Sequence, residues 1–121
     1  MKRRIPAFAT LLAAALVIPT VAYAADTVGS EGRVKNIELL SPSADAYVQY
    51  HGRVFINAEK RTTEYRWGGT SCGSKVLSAD LVARLTDAAT NKDQVKVTPT
   101  YAKGAGTTKC LVGFSIRHKA K

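Results

Sequence analysis

Apolar and polar positions along the chain change period several times, and each change marks an element. From Gly32 to Leu40 the pattern is strand-like but out of phase with itself, because Ile37 and Leu39 share one face while Val34 falls on the other. A β-bulge near Lys35 or Asn36 brings all three inward. Ser41-Pro42-Ser43 supplies a turn. Ala46, Val48 and Tyr50 then alternate with Tyr47 and Gln49, and Val54 and Ile56 continue the buried phase while Arg53, Phe55 and Asn57 face away. Two short antiparallel strands joined at His51-Gly52 fit this stretch, and so does one long strand bent at Gly52.

The charged segment from Ala58 to Thr70 reads as a loop leading into a strand on which Tyr65 and Trp67 alternate around Arg66. The period then becomes helical. Leu77, Leu81, Leu85 and Ala88 or Ala89 recur at three- and four-residue spacing, with Asp80, Arg84 and Asp87 on the other side and Ser78 as N-cap. Alternation returns through Val95, Val97, Pro99 and Tyr101, where Pro99 predicts an edge or a strand end. After a glycine-rich turn at Lys103 to Thr107, the last strand, Thr108 to Arg117, places Cys110, Val112, Phe114 and Ile116 inward and Lys109, Leu111, Ser115 and Arg117 outward. The order predicts a mainly β domain: five strands, with one helix between the third and fourth, closing as a small, partly open Greek-key barrel.

Residues 1–24 carry the three parts of a secretory signal: basic Lys2, Arg3 and Arg4, an apolar run from Ile5 to Val21, and the small-x-small pattern Ala22-Tyr23-Ala24. The run is short for a bilayer span and Pro19 interrupts its end, which favours cleavage over a retained anchor. A single domain, residues 25–121, follows, with Asp26 to Glu31 as a flexible lead-in. Export to the periplasm or the exterior also makes a bond between Cys72 and Cys110 the expectation, against a free thiol. Removing Lys2, Arg3 and Arg4 takes the 18 basic residues to 15, against 9 acidic ones, a formal charge of +6. Such an excess favours an anionic surface or partner, and with export no intracellular nucleic acid is expected.

With the elements laid out, the chain resembles the oligonucleotide- and oligosaccharide-binding (OB) fold, and within it the Shiga-type binding subunit of A–B toxins. Gly32-Arg33-Val34 resembles the opening of that subunit's first strand, and Ala46 to Ile56 its next hairpin. Leu81 to Ala89 followed by Gln94-Val95-Lys96-Val97 resembles its central helix and next strand. The chain also resembles small exported bacterial proteins of this fold. The likeness covers most of Gly32 to Ile116 in element order and apolar phase, with few identical side chains. It implies a non-catalytic binding module, a glycan ligand and self-association into a ring.

For a glycan, Tyr65, Arg66 and Trp67 offer aromatic platforms and a planar hydrogen-bonding group within three residues, with Tyr47 and Gln49 nearby on an outer face. Packing of Trp67 and Tyr65 into the domain is the alternative. For an anionic surface, Arg53, Lys60, Arg61, Arg66, Lys96, Lys103 and Lys109 are the candidates. An interaction or inhibitory module using outward Leu111, Phe55 and Tyr47 is a third class. Catalysis has little to work with. His51 and His118 stand in no triad, no metal-ligand cluster or cofactor motif is present in the sequence, and Glu59 with Glu64 is the one acid pair that suits a sugar.

Overall fold

The computed structural model describes residues 25–119, and the expected signal segment, residues 1–24, lies outside them. Six strands form one mixed sheet: β1 (Thr27–Val28), β2 (Arg33–Leu39), β3 (Gly52–Ala58), β4 (Arg61–Trp67), β5 (Val95–Lys103) and β6 (Lys109–His118). A one-turn helix α1 (Gly69–Cys72) and a three-turn helix α2 (Ala79–Thr90) cross from β4 to β5. The spatial order is β1-β5-β6-β4-β3-β2. All neighbours are antiparallel except β4 and β6, which are parallel at Arg66 and Cys110.

No continuous ladder closes the sheet, but its ends approach at one point. Gly32 and Val97 exchange two backbone hydrogen bonds, of 3.0 and 2.8 Å, just before β2 begins. Gly32 is squeezed between β5 and β3, and a Cβ there would run into the Asn57 carbonyl. The sixth strand was not foreseen: Thr27–Val28, expected to be flexible lead-in, pairs with Thr100 and Tyr101. Two exposed residues carry no apolar period from which it could be read.

The bulge in β2 falls where the broken phase requires it. Pairing with β3 slips between Val34 and Asn36, leaving Lys35 as the extra residue. Val34 is buried and Ile37 packs against the core, but Leu39 stays half exposed at the strand end. The strand expected over Ala46 to Tyr50 is instead a 3-10 turn, Asp45–Val48, in which successive N–H groups find carbonyls three residues back. Local turn bonding satisfies the backbone there, and of Ala46, Val48 and Tyr50 only Tyr50 is buried.

His51-Gly52 therefore joins no hairpin. Gly52 begins β3 opposite Trp67, whose ring occupies the space a Cβ would need. The hairpin lies one element later, where Glu59 (φ 52°) and Lys60 (φ 65°) form the two-residue turn between β3 and β4. This turn lacks glycine and asparagine, and the charged segment accordingly read as loop when most of it is strand.

Ser78 caps α2 as expected, its Oγ accepting from the Leu81 N–H at 3.2 Å. Leu85 and Ala88 enter the core, and Val82 rather than Leu81 packs beside them. In β5, Pro99 is buried and its carbonyl accepts from Gly29 on the β1 side. Its missing N–H faces that same side, just past the end of β1, so no bond to β6 is lost.

In β6 the expected phase holds only in part. Thr100 pairs with Gly113 and Tyr101 with Leu111, so Val112 is an extra residue and the inward face switches there. Leu111 is consequently core rather than outward surface, while Cys110, fully buried on the opposite face, bonds to Cys72 with a Cα separation of 5.6 Å. The core gathers residues from β2 to β6 and α2, among them Val34, Val54, Ile56, Tyr65, Trp67, Leu85 and Val97.

The bond between Cys72 and Cys110 spans 38 positions. Replacing both cysteines with alanine is expected to lower the unfolding free energy by about 4 kcal/mol through loop entropy. In the same urea series Leu85→Ala is expected to cost about 2–5 kcal/mol and Leu81→Ala clearly less. Equal losses at Leu81 and Leu85 would contradict the observed helix face.

Candidate functional site

Alternation along β4 divides the expected aromatic and arginine cluster. Tyr65 and Trp67 point into the core and are each 3% exposed, so neither offers a ring face to a ligand. Burial, with Tyr101 beside it, pushes the Tyr65 hydroxyl above its usual range. Arg66 points outward with Arg53, and the register sets Glu38, Arg53 and Arg66 in a row across β2, β3 and β4.

That row satisfies itself except at the Arg53 Nε, which is buried without a hydrogen-bond partner. Arg53 lies 3.1 Å from Glu38 through one nitrogen and 3.1 Å from Glu64 through another, and Arg66 also pairs with Glu64. The Tyr50 hydroxyl donates to Glu38 at 2.6 Å, while Arg66 sits 4.4 Å above the Tyr50 ring and Arg53 5.1 Å above Phe55. Two cations facing two carboxylates leave little field for an outside anion. The arrangement fastens β2, β3 and β4 together and reads as an internal brace.

The other expected residues are dispersed. Tyr47 stacks on His51, with ring centroids 4.1 Å apart, beside the 3-10 turn. Arg61 is exposed at the far end of the β3–β4 hairpin, where it lines two cavities with Ser30 and Thr63. Of the six residues proposed from sequence, the fold sets Arg53 with Arg66 on the outer face, Tyr65 with Trp67 in the core, and Arg61 with Tyr65 on one cavity, but gathers the six into no common site.

A different constellation forms where the sheet ends approach at Gly32 and Val97. Two adjoining cavities of about 420 and 400 Å³ share Arg33, Asp93 and Lys96 as walls. The opening of β2 supplies Arg33 and Lys35, the turn after α2 supplies Lys92, and the start of β5 supplies Lys96. Arg117 and Lys119 come from the end of β6, where the Lys119 N–H donates to the Gln94 carbonyl at 2.7 Å. Six cations thus meet three carboxylates, Glu31, Glu59 and Asp93.

The pairing is uneven. Glu31 takes two bonds from Arg117, of 2.5 and 3.1 Å, which hold its carboxyl below the usual range and the guanidinium above its own. Arg33 reaches Asp93 at 3.6 Å across an exposed gap, a contact worth little in water. Among the described residues, Lys35, Lys92, Lys96 and Lys119 form no ion pair. Four mobile ammonium groups and a lightly held guanidinium therefore face a polar hollow, an arrangement suited to phosphate, sulfate or carboxylate.

Of these six cations only Lys96 was a candidate from sequence. The rest lie in three separate segments that no local motif connects. Among the described residues no group of three or more His, Cys, Asp or Glu side chains stands close enough to hold a metal, and no helix is long and apolar enough to cross a membrane. Comparison with protein-family models, with curated proteins and with solved structures finds no match.

The brace on the outer face predicts a pH dependence. The hydrogen bond from Tyr50, then the one from Arg53, holds the Glu38 carboxyl below its ordinary value of 4.5. A depressed carboxylate adds stability that is present above the ordinary value and lost as pH falls through the native one. Glu38→Gln is therefore expected to be less stable than the parent at neutral pH, with the gap closing below 4.5. Urea midpoints across the acid range check this, and a gap constant with pH would show that the charge is not what Glu38 contributes.

Proposed function

We propose that this chain is an exported, non-catalytic binding module whose basic cleft takes an anionic ligand. The observation that carries the reading is the meeting of Arg33, Lys35, Lys92, Lys96, Arg117 and Lys119 around adjoining cavities, with the four lysines in no ion pair among the described residues. Arginine gives planar, two-point contact to an oxyanion, and the lysines add mobile charge that adapts to its outline. Glu31 holds Arg117 in place, so part of the site is ordered before a ligand arrives.

Export is supported by the signal-like pattern of residues 1–24 and by the Cys72–Cys110 bond, which suits an oxidising compartment. A partly open barrel of the OB type is supported by the path of the chain. Three antiparallel strands, β2 to β4, continue into β6 by a parallel pair and then into β5, which returns to Gly32 at the mouth of β2. Binding at that return point places the ligand on a seam between strands, where side chains from distant segments converge.

Inositol hexakisphosphate, a compact polyanion, is the probe for calorimetry. Its binding is expected to weaken steeply with salt. Lys96→Gln combined with Arg33→Gln is expected to cost about tenfold, near 1.4 kcal/mol. Lys75→Gln, away from the cleft, serves as the control and is expected to bind as the parent does. No binding, or binding indifferent to the double change, overturns the reading.

A further inference from the structure

We propose that the ligand of this cleft is a linear acidic polysaccharide, lying along a groove that continues from the cleft past the β3–β4 turn to Tyr101. The inference rests on the anion-binding reading above and names the ligand class. Beyond Glu59, which walls the larger cavity of the cleft, lies another hollow of about 260 Å³. It shares Ser30, Ala58, Arg61 and Thr63 with a last one of about 250 Å³. Four hollows thus follow one another, each sharing a wall with the next.

Cations recur along the whole course. Arg117 and Lys119 stand at one end, Arg33 and Lys96 follow, and Lys35 and Lys92 come before the turn. Past it lie Arg61 and then Lys109, whose ammonium sits 5.7 Å above the Tyr101 ring. Charge spread through four hollows exceeds what one phosphate or sulfate can neutralise, and it suits a chain whose anionic groups repeat. Between the cations stand the hydroxyls of Ser30 and Thr63 and the amide of Asn57, groups that pair with sugar hydroxyls.

Other polyanions fit less well. Single-stranded nucleic acid binds through successive aromatic platforms. Here, among the described residues, Tyr101 is the ring with a cation over it, Tyr65 lines the same hollow but is 3% exposed, and Trp67 is buried. A membrane presents a flat array of headgroups, whereas these cations line the walls of hollows. An acidic peptide would seek apolar pockets for its side chains, and the middle of the groove offers hydroxyl, amide and charge instead.

The test is calorimetry of the mature chain with heparin fragments, from disaccharide to octasaccharide, at fixed salt. Affinity is expected to rise at least about tenfold with length at one chain per protein, and the salt dependence to steepen in parallel. In the double variant Arg61→Gln with Lys109→Gln, at the far end of the groove, that gain is expected to vanish while the thermal midpoint stays that of the parent. If inositol hexakisphosphate binds but affinity for heparin fragments is flat with length, the extended groove is wrong and the cleft stands. If neither probe binds, both readings fall. If oligothymidylate or polyglutamate of matched charge binds as tightly as the octasaccharide, the polysaccharide assignment is overturned.

Discussion

The β2–β3–β4 meander and the β5–β6 hairpin meet along β4 and β6, where the parallel register rests on Arg66 and Cys110. Cys110 is also bonded to Cys72, at the end of the helix that follows β4 directly. A covalent tie thus stands where the ladder is shortest. A further contact between the halves is the pair of hydrogen bonds at Gly32 and Val97, and the basic cleft opens beside it. The position of every cation in that cleft depends on the two halves keeping their relative place.

The molecule distributes its charge by the same geometry. On the outer face of β2, β3 and β4, direct cross-strand register puts arginine beside glutamate, and ion pairs, rings and the Tyr50 hydroxyl absorb one another's polarity. At the seam register sets cation beside cation, Lys96 opposite Arg117, and the other side chains arrive from a strand opening, a turn and the residue after β6. Lysines there form no ion pair among the described residues, and Glu31, Glu59 and Asp93 offset only part of the positive charge around them. A brace that pairs its own charges, and a cleft that does not, follow from one sheet with an ordered middle and an irregular meeting of its ends.

The places where pattern and structure part share a cause. In β6 an extra residue at Val112 reverses which side chains face inward, and nothing in the apolar spacing announces it, because Cys110, Leu111 and Val112 are all apolar. In β2 the same device was legible, because Val34 and Ile37 are separated by polar Lys35 and Asn36 and only a bulge reconciles them. Over Ala46 to Tyr50 an alternating pattern coexists with a 3-10 turn, since so short a stretch satisfies either period and local hydrogen bonds decide.

What the amino-acid order settled by itself was local: the capped helix with Leu85 inward, the inward phase of Val54 and Ile56, the bulge in β2 and the two cysteines available to pair. Each rests on neighbours within a few positions, where period, cap and turn chemistry act. The tertiary structure alone decided that Trp67 faces inward over Gly52, that Thr27–Val28 adds a strand, and that Arg33, Lys92, Lys96 and Arg117 line two adjoining hollows. Those outcomes join residues tens of positions apart, and a contact across such distances exists only once the sheet has turned back on itself.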